Sequence, residues 1–329
     1  MNKFELLDLL GESEYTSGEV IAEKFGVTRT AVWKAVTDLK KMGYEISSKT
    51  NNGYKLQKPF DILNEHEIKS RLQSKNLDFD VIYKKTTGST NNDAKAAASE
   101  NNGNNAIIAA DELSAARGRY GRSFSAKNGG VYFTIKICRK NNFYNLEDIA
   151  FYPLIAAAAT SRAVYEICGI DLSVKWPNDL LYKNNINNIN INGAKYKKVC
   201  GILTEASFQA ENRDISYIIA GIGVNVNISE FDGDLKDVAT SLKIISGRDF
   251  DRADLMCGII GQFMTLANSS REYLLEEYKK RLITGIAISF AQNGREYKGT
   301  AAGINGSGNL LADINGQIVT VQSSEINFI

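Results

Sequence analysis

Several common catalytic and structural devices are missing from this chain of 329 residues. It has one histidine, His66, within Asn64-Glu65-His66-Glu67-Ile68, which reads as the start of a helix with an exposed imidazole. That leaves no basis for a histidine triad. The four cysteines, Cys138, Cys168, Cys200 and Cys257, show no CxxC spacing, and three lie in apolar contexts. Reduced, buried thiols in a cytoplasmic protein are expected, rather than disulfides or a zinc site. No apolar run approaches the roughly 20 residues that span a bilayer, and the acidic start at Met1-Asn2-Lys3-Phe4-Glu5 lacks a signal-peptide core. GxxxxGK[ST] does not occur, which argues against a P-loop nucleotidase. Gly221-Ile222-Gly223 has no third glycine at Val226 and no helical pattern after it, which argues against a dinucleotide fingerprint. A net charge of +1 gives no global attraction to polyanions, so any nucleic-acid contact must come from a local patch. Hydrophobic content of 43% and charged content of 23% are ordinary for a globular chain of two or three domains.

What is present begins with a polarised helical unit. Phe4, Leu6, Leu7, Leu9 and Leu10 populate a first helix, and Ser17 caps a second, Gly18 to Phe25, which Gly26 closes. Thr28 caps a third running to Met42, whose Val32, Ala35, Val36, Leu39 and Met42 recur at core-facing spacing. The opposite stripe, Thr30, Trp33, Lys34, Thr37, Lys40 and Lys41, carries three lysines, two hydroxyls and an aromatic. Two helices joined by Gly26-Val27 match a helix-turn-helix reader, with Thr28, Arg29, Thr30, Trp33, Lys34 and Thr37 as its DNA-contacting residues. Tyr44 to Ser48 and Gly53 to Leu56 flank Lys49-Thr50-Asn51-Asn52 as a hairpin would, forming a wing that offers Lys49 and Lys55 to phosphates. The other reading is a helical interaction module with a solvated lysine face. Gln57-Lys58-Pro59-Phe60 supplies a stiff boundary to the next domain.

From Asp61 the texture changes to alternating helices and strands. Asp61 to Ser74 reads as a helix, and Val81-Ile82-Tyr83 as a strand entering a hydroxyl-rich turn, Thr86 to Asp93, that opens a helix from Asp93 to Glu100. Hydroxyls there either cap that helix or bind a small polar ligand. Between strands Asn105 to Ala110 and Gly130 to Ile137 lies Arg117-Gly118-Arg119-Tyr120-Gly121-Arg122, three guanidinium groups and two glycines in six residues. Arginine presents a planar fork that suits phosphate and carboxylate, and glycine lets backbone approach a ligand. This loop either wraps an anion or is a solvated basic loop. Further elements are a buried helix, Phe151 to Cys168, and strands Ser173 to Trp176, Lys197 to Glu205 and Tyr217 to Asn227. Asn184 to Asn192 is asparagine-rich and reads as a hairpin-tip insertion without chemistry.

With these pieces in order, the chain resembles the bifunctional biotin–protein ligase and biotin-operon repressor family over nearly its whole length. The resemblance rests on Gly88-Ser89-Thr90-Asn91, Arg117-Gly118-Arg119 with Gly121-Arg122, Lys175-Trp176-Pro177-Asn178-Asp179 and Lys198 to Glu205. Gly221 to Asn227 and Ala239-Thr240-Ser241-Leu242 add to it. It implies an α+β fold: a winged helix-turn-helix domain over 1–60, a mixed-sheet α/β ligase domain over 61–283 and a small SH3-like β-barrel over 284–329.

It also implies a chemistry. Such ligases use ATP and Mg²⁺ to form biotinyl-AMP and pass the biotinyl group to a lysine of a biotin carboxyl carrier protein. The same resemblance implies biotin-dependent repression at operator DNA by a ligand-induced homodimer. It makes Ser89, Thr90 and Asn91 the lining of the biotin head-group pocket, with Leu113, Arg117, Gly118 and Gly201 also at the biotin or adenylate. Lys198, Arg119 and Asp179 are implied as catalytic, with Lys198 against the biotin carboxylate or acyl-phosphate and Arg122 and Asn178 at the nucleotide. Asn178 and Asp179 are left among three tasks, namely nucleotide, metal and incoming lysine. No dedicated protein metal cluster is expected.

Departures accompany the match. Leu113 stands where the family has a glutamine that contacts biotin, and Ala116 replaces the first glycine of the loop. Phe124 replaces an aromatic that is usually tryptophan, Ala126 a proline, and Ser324 a glycine. A leucine side chain cannot hydrogen-bond, so either biotin affinity is reduced or backbone and Thr90 compensate. Leu113 and Ala116 thus motivate a second reading, a biotin-sensing repressor with weak or no transfer. A third, a ligase for another acyl cofactor such as lipoate, fits the chain as a whole less well than biotin ligases do.

Overall fold

The computed structural model describes residues 1–12, 14–50, 52–57, 61–100, 104–122, 124–138, 146–183, 196–208, 215–322 and 325–329. The asparagine-rich stretch Asn184 to Asn192, the boundary residues Lys58, Pro59 and Phe60, and Ser324 lie outside them. The chain divides into two compact units, Met1–Glu67 and Ile68–Ile329.

In the first unit, α1 (Lys3–Glu12), α2 (Gly18–Phe25) and α3 (Arg29–Lys41) precede a hairpin of β1 (Ile46–Lys49) and β2 (Gly53–Leu56). Each boundary has a local cause. The Ser17 hydroxyl accepts from Val20 N–H, Gly26 ends α2 in the left-handed region at φ 61°, and Thr28 Oγ1 accepts from Ala31 N–H at 3.2 Å. Leu6, Leu10, Ile21, Val32 and Leu39 are fully buried and form the core. The opposite face of α3 exposes Arg29, Thr30, Lys34 and Trp33, the last at 60%. Thr37 is half-buried, its hydroxyl donating to the Trp33 carbonyl at 2.8 Å.

Three details differ from the sequence reading. His66 is not an exposed helical residue: its ring stacks on Phe4 at 4.1 Å, and Nε2 lies 4.0 Å from Asp8. Lys55 is not unpartnered, lying 3.6 Å from the exposed carboxylate of Glu14. The helix after the hairpin, α4 (Glu65–Ser74), starts four residues later than expected, because Asp61 is left-handed at φ 60° and Asn64 Oδ1 caps Glu67 N–H at 3.0 Å.

The second unit is built on a seven-stranded mixed sheet. Its elements are β3 (Asp80–Thr87), α5 (Thr90–Glu100), β4 (Ala106–Leu113), β5 (Val131–Cys138), α6 (Tyr152–Cys168), β6 (Ser173–Lys175), β7 (Asp179–Lys183), β8 (Tyr196–Phe208) and β9 (Ile215–Val224). Strand order is β3-β4-β5-β9-β8-β7-β6, with only β3–β4 parallel. Short helices α7 (Leu235–Val238) and α8 (Leu242–Ser246) follow, then α9 (Arg252–Ala267) and α10 (Arg271–Lys279). Every residue of β5 is buried, the continuous apolar run of a strand covered on both faces. Strand pairing sets the parity: Ile108 opposes Thr134, Thr134 opposes Gly221, and Gly221 opposes Leu203. Thr134 bonds to Thr90 and Asn91 at the start of α5, whereas Asp111, of opposite parity to Ile108, bonds to Arg252 of α9. Helix α5 therefore covers one face of the sheet and α9, packed with α6, the other.

A five-stranded antiparallel sheet ends the unit: β10 (Ala287–Gln292), β11 (Arg295–Ile304), β12 (Leu310–Ile314), β13 (Gln317–Val321) and β14 (Ile326–Phe328), in the order β13-β12-β11-β10-β14. Asn293-Gly294 and Asn315-Gly316 turn two of its hairpins with positive φ at both residues, the conformation that matches strand twist.

Candidate active site

The α5-facing side of the sheet carries a chemically loaded surface. Tyr132 and Thr134 of β5, Gly221 and Gly223 of β9, Gly201, Leu203 and Glu205 of β8, and Asp179 of β7 share it by register. Three of these are glycines because other groups lie flat on the sheet there. A Cβ on Gly221 would stand 2.2 Å from Asn91 Oδ1, and one on Gly223 2.9 Å from the Phe124 ring. One on Gly201 would meet Phe124 at 3.1 Å and Lys198 Nζ at 3.2 Å.

Above this floor is a cavity of about 170 Å³. It gathers Ser89, Thr90, Asn91, Leu113, Arg117, Gly118, Arg119, Arg122, Asn178, Asp179, Lys198 and Gly201, every ligase-site position singled out from sequence. Helix α5 begins at Thr90, not at Asp93, which turns Thr90 and Asn91 onto the sheet as its first residues. Both are buried. Ser89 Oγ lies 3.4 Å from Asn92 N–H, a long capping contact.

The arginine loop is a tied hairpin. Ser114 N–H and Ala115 N–H donate to the carbonyls of Thr87 and Gly88 at 2.9 and 3.0 Å. Leu113 N–H donates to Ala126, Phe124 N–H to Ala116 and Gly118 N–H to Arg122, at 3.1, 3.1 and 2.7 Å. The chain reverses through Tyr120 (φ 56°) and Gly121 (φ 75°), both left-handed. That conformation is cheap for glycine and uncommon for tyrosine. Ala116 is not among the positive-φ residues, so the alanine carries no backbone strain there. The Arg119 guanidinium lies 5.3 Å from the Tyr120 ring, and Arg122 forks onto both carboxylate oxygens of Glu325.

The opposite wall is charged. Lys198 Nζ lies 2.8 Å from Asp179 Oδ1 and 5.9 Å from the Phe124 ring centroid. Phe124 in turn meets Tyr132 edge-on at 6.3 Å. Asn178 spends its amide N–H on the Ile202 carbonyl at 2.6 Å, and Ile202 N–H returns to the Asn178 carbonyl at 3.1 Å, which locks β7 to β8. Trp176 is buried, with Nε1–H on the Gly308 carbonyl at 2.9 Å. Lys175 also lines the cavity. Burial holds its pKa below the usual lysine value; Asp179 and Glu325 oppose that shift, and Lys198 and Arg122 reinforce it.

Thr134, Tyr132 and Glu325 are not among the residues singled out from sequence, and Lys175 enters there only as the head of its motif, without a role at the site. The available signals were a hydroxyl and a lysine inside apolar strands (Thr134 in Val131–Cys138, Lys175 beside Trp176). Glu325 had none, because its partner Arg122 is 203 residues away.

A cavity that joins hydroxyls at a helix start, three arginines and a lysine–carboxylate pair can hold one small polar head group and a phosphate chain. The comparisons with known proteins agree in kind. Residues 2–55 match a helix-turn-helix domain family and residues 80–225 the biotin/lipoate A/B protein ligase family. Among solved structures, a biotin protein ligase from Aquifex aeolicus in complex with biotin and ATP superposes with a TM-score of 0.61 at 25% identity, covering 76% of this chain and 98% of that one. The bifunctional ligase/repressor BirA of Bacillus subtilis is 33% identical over 98% of this chain and 97% of its own length. That of Escherichia coli is 24% identical over 98% and 96%. The chain belongs to the family of bifunctional BirA-type biotin ligase/repressors.

Proposed function

We propose that this protein is an ATP-dependent biotin–protein ligase that also represses transcription from operator DNA in response to biotin. The observation that carries the ligase half is the meeting, in one cavity, of Thr90, the Arg117–Arg122 loop and the Lys198–Asp179 pair, in a chain that matches a bifunctional ligase/repressor end to end.

The reaction brings two anions together: the biotin carboxylate attacks the α-phosphorus of ATP, the bond to the β-phosphate oxygen breaks, and pyrophosphate leaves. An acceptor lysine amine, after losing a proton, then attacks the acyl carbon of biotinyl-AMP and expels AMP. Neither step needs a covalent bond to the protein, so positioning and charge are what the chain must supply. Lys198 stands to offset the charge of the carboxylate and the acyl-phosphate. Arg117, Arg119 and Arg122 stand to receive the phosphates. Arg122 is held by Glu325 in this structure, so its guanidinium must exchange a carboxylate for a phosphate when nucleotide arrives. Asp179, paired with Lys198, is placed to accept a proton or to hold the incoming ammonium. Asn178 acts through the backbone it fastens and Gly201 by leaving room for Lys198, whereas Ser89, Gly118 and Leu113 supply shape and hydroxyl contacts around the head group.

Mg²⁺ would accompany the triphosphate. Among the described residues no group of three or more His, Cys, Asp and Glu is assembled as a metal site. The single carboxylates at the cavity fit an ion carried mainly by phosphate oxygens and water.

The repressor half rests on the exposed stripe Arg29, Thr30, Trp33 and Lys34 of a well-capped α3. Thr28 contributes through its cap and Thr37 through its hydroxyl at the edge of that stripe. A biotin carboxyl carrier domain as acceptor, a ligand-induced homodimer as the DNA-binding form and a cytoplasmic setting complete the reading. The deciding experiment mixes the protein with ATP, labelled biotin and a biotinyl-acceptor domain. Label on the acceptor lysine is the expected result; adenylate without transfer would make the protein a sensor, and labelling by lipoate alone would refute both biotin readings. A gel shift on the gene's own upstream region, with and without biotin, tests repression.

A further inference from the structure

Helix α3 carries a side chain that the fold does not use. Trp33 is 60% exposed, on a helix whose core contacts come from Val32, Val36 and Leu39. The chain's other tryptophan, Trp176, is buried with its indole N–H satisfied. Tryptophan is highly buried on average, so an indole left in water on a well-capped helix points to a partner. Its neighbours give that partner's charge. Thr30, Trp33, Lys34 and Thr37 recur at helical spacing, which sets Trp33 in the middle of one face. Arg29, Lys34, Lys40 and Lys41 surround it, all exposed, and the one acid of the helix, Asp38, lies 3.8 Å from Lys41. Such a surface fits a polyanion. A helix in the major groove reads base edges in few ways: Arg or Lys on guanine, Asn or Gln on adenine, Asp or Glu on cytosine, and an apolar group on the thymine methyl. Helix α3 contains no Asn, Gln or Glu. Thr37 has spent its hydroxyl hydrogen on the Trp33 carbonyl at 2.8 Å. The indole is what remains at the centre of the face.

We infer that Trp33 is the specificity-determining residue of α3: its ring packs against the 5-methyl group of a thymine in the major groove, while the surrounding cations hold phosphates. The inference rests on the repressor reading and deepens it. It names what the helix recognises, a duplex half-site marked by thymine methyls and read by burial rather than by hydrogen bonds. The scale follows from the chemistry. Uracil keeps the O4 acceptor of thymine and lacks only the methyl, and burying one such carbon is worth about fourfold in affinity. A dimer that places one Trp33 in each half-site squares that factor, to about fifteenfold.

The test uses the full chain and the gene's own upstream duplex, made with thymine, with uracil or with 5-bromouracil throughout. Uracil removes the methyl, and 5-bromouracil replaces it by a bromine of about its size. In a gel-shift titration with biotin and ATP present, the uracil duplex should bind about fourfold to fifteenfold more weakly than thymine, and the bromouracil duplex about as tightly as thymine. Irradiation of the bromouracil complex should attach the duplex to Trp33, read by mass spectrometry of the digested adduct. Trp33→Phe keeps an apolar ring and should keep the preference for thymine over uracil. Trp33→Ala, titrated at low salt where phosphate contacts sustain a complex, should bind the two within about twofold of each other. Equal binding of thymine and uracil duplexes by the wild type would overturn the inference, a measurement that needs no variant to fold. So would a thymine preference that survives in Trp33→Ala, or an adduct on Thr30 or the wing in place of Trp33. A wild type that shifts none of the three duplexes would instead refute the repressor reading, and the inference with it.

Discussion

Replacing Lys198 with alanine separates catalysis from stability. Nζ lies 2.8 Å from Asp179 Oδ1, a gross attraction of roughly 6 kcal/mol at an effective dielectric of about 20. Both side chains keep contact with water, 35% exposed for Lys198 and 25% for Asp179, so desolvation and screening leave a net contribution on the order of 1 kcal/mol. Losing it should lower the melting temperature by about 2–4 °C, given the size of the second unit. Catalysis should suffer far more. A preorganised cation aimed at developing charge contributes about 2.7–4 kcal/mol, equivalent to roughly 10²–10³ in rate. The assay is biotin-dependent exchange of labelled pyrophosphate into ATP, run beside thermal unfolding. The expected result is a fall of about 10²–10³ in exchange with a nearly native unfolding curve. Exchange within twofold of wild type would refute the electrostatic role. A melting temperature lowered by more than ten degrees would make Lys198 structural.

The same geometry carries other consequences. Gly221→Ala should cut biotin affinity by tenfold or more in a titration, because a Cβ 2.2 Å from Asn91 Oδ1 must push that buried amide off its partners. Arg252, buried at 7%, bonds to Asp111 at 3.0 Å beyond one stem of the arginine loop and to the Gly130 carbonyl at 3.4 Å beyond the other. Arg252→Met should therefore destabilise by about 3–5 kcal/mol in denaturant unfolding, as it leaves the partly buried Asp111 carboxylate without its cation and with the Tyr83 hydroxyl, at 2.7 Å, beside it. Trp33→Ala should leave the melting temperature within about a degree, as the ring is 60% exposed, while a gel shift loses the retarded band. Burial pushes the thiols of Cys168 and Cys257 up to about 12 from 9.0. A raised acid pKa means the folded state holds protons the unfolded state releases, so stability is complete below pH 9 and lost as pH rises from there. Urea midpoints should fall between pH 8 and 10.5, with both thiols unreactive to iodoacetamide in the native protein at pH 8.

The reach of sequence reading varied with the range of the interaction. Caps at Ser17 and Thr28 and the stop at Gly26 are local, and were readable to the residue. The onset of α5 was misjudged because its first turn is held by sheet contacts, not by an exposed cap: Thr90 and Asn91 are drawn into the helix by Thr134 and Leu203. His66 was misread for a related reason, since Phe4 stacks on it from 62 residues away. Ala116, where the family has glycine, is not a positive-φ residue, and the loop makes its left-handed turn at Tyr120 and Gly121 instead.

By itself, then, the amino-acid order determined the elements, the helix-turn-helix, the arginine loop and the set of residues that line one cavity, because periodicity, capping and turn chemistry act over a few residues. Only the tertiary structure decided which side of the sheet those residues share, why Gly201, Gly221 and Gly223 bear no side chain, and that Asn91, Thr134 and Thr90 meet beneath the cavity. These depend on strand order and register. The partners lie more than forty residues apart, Asn91 and Glu205 114 residues apart, and no local pattern encodes a pairing across that distance.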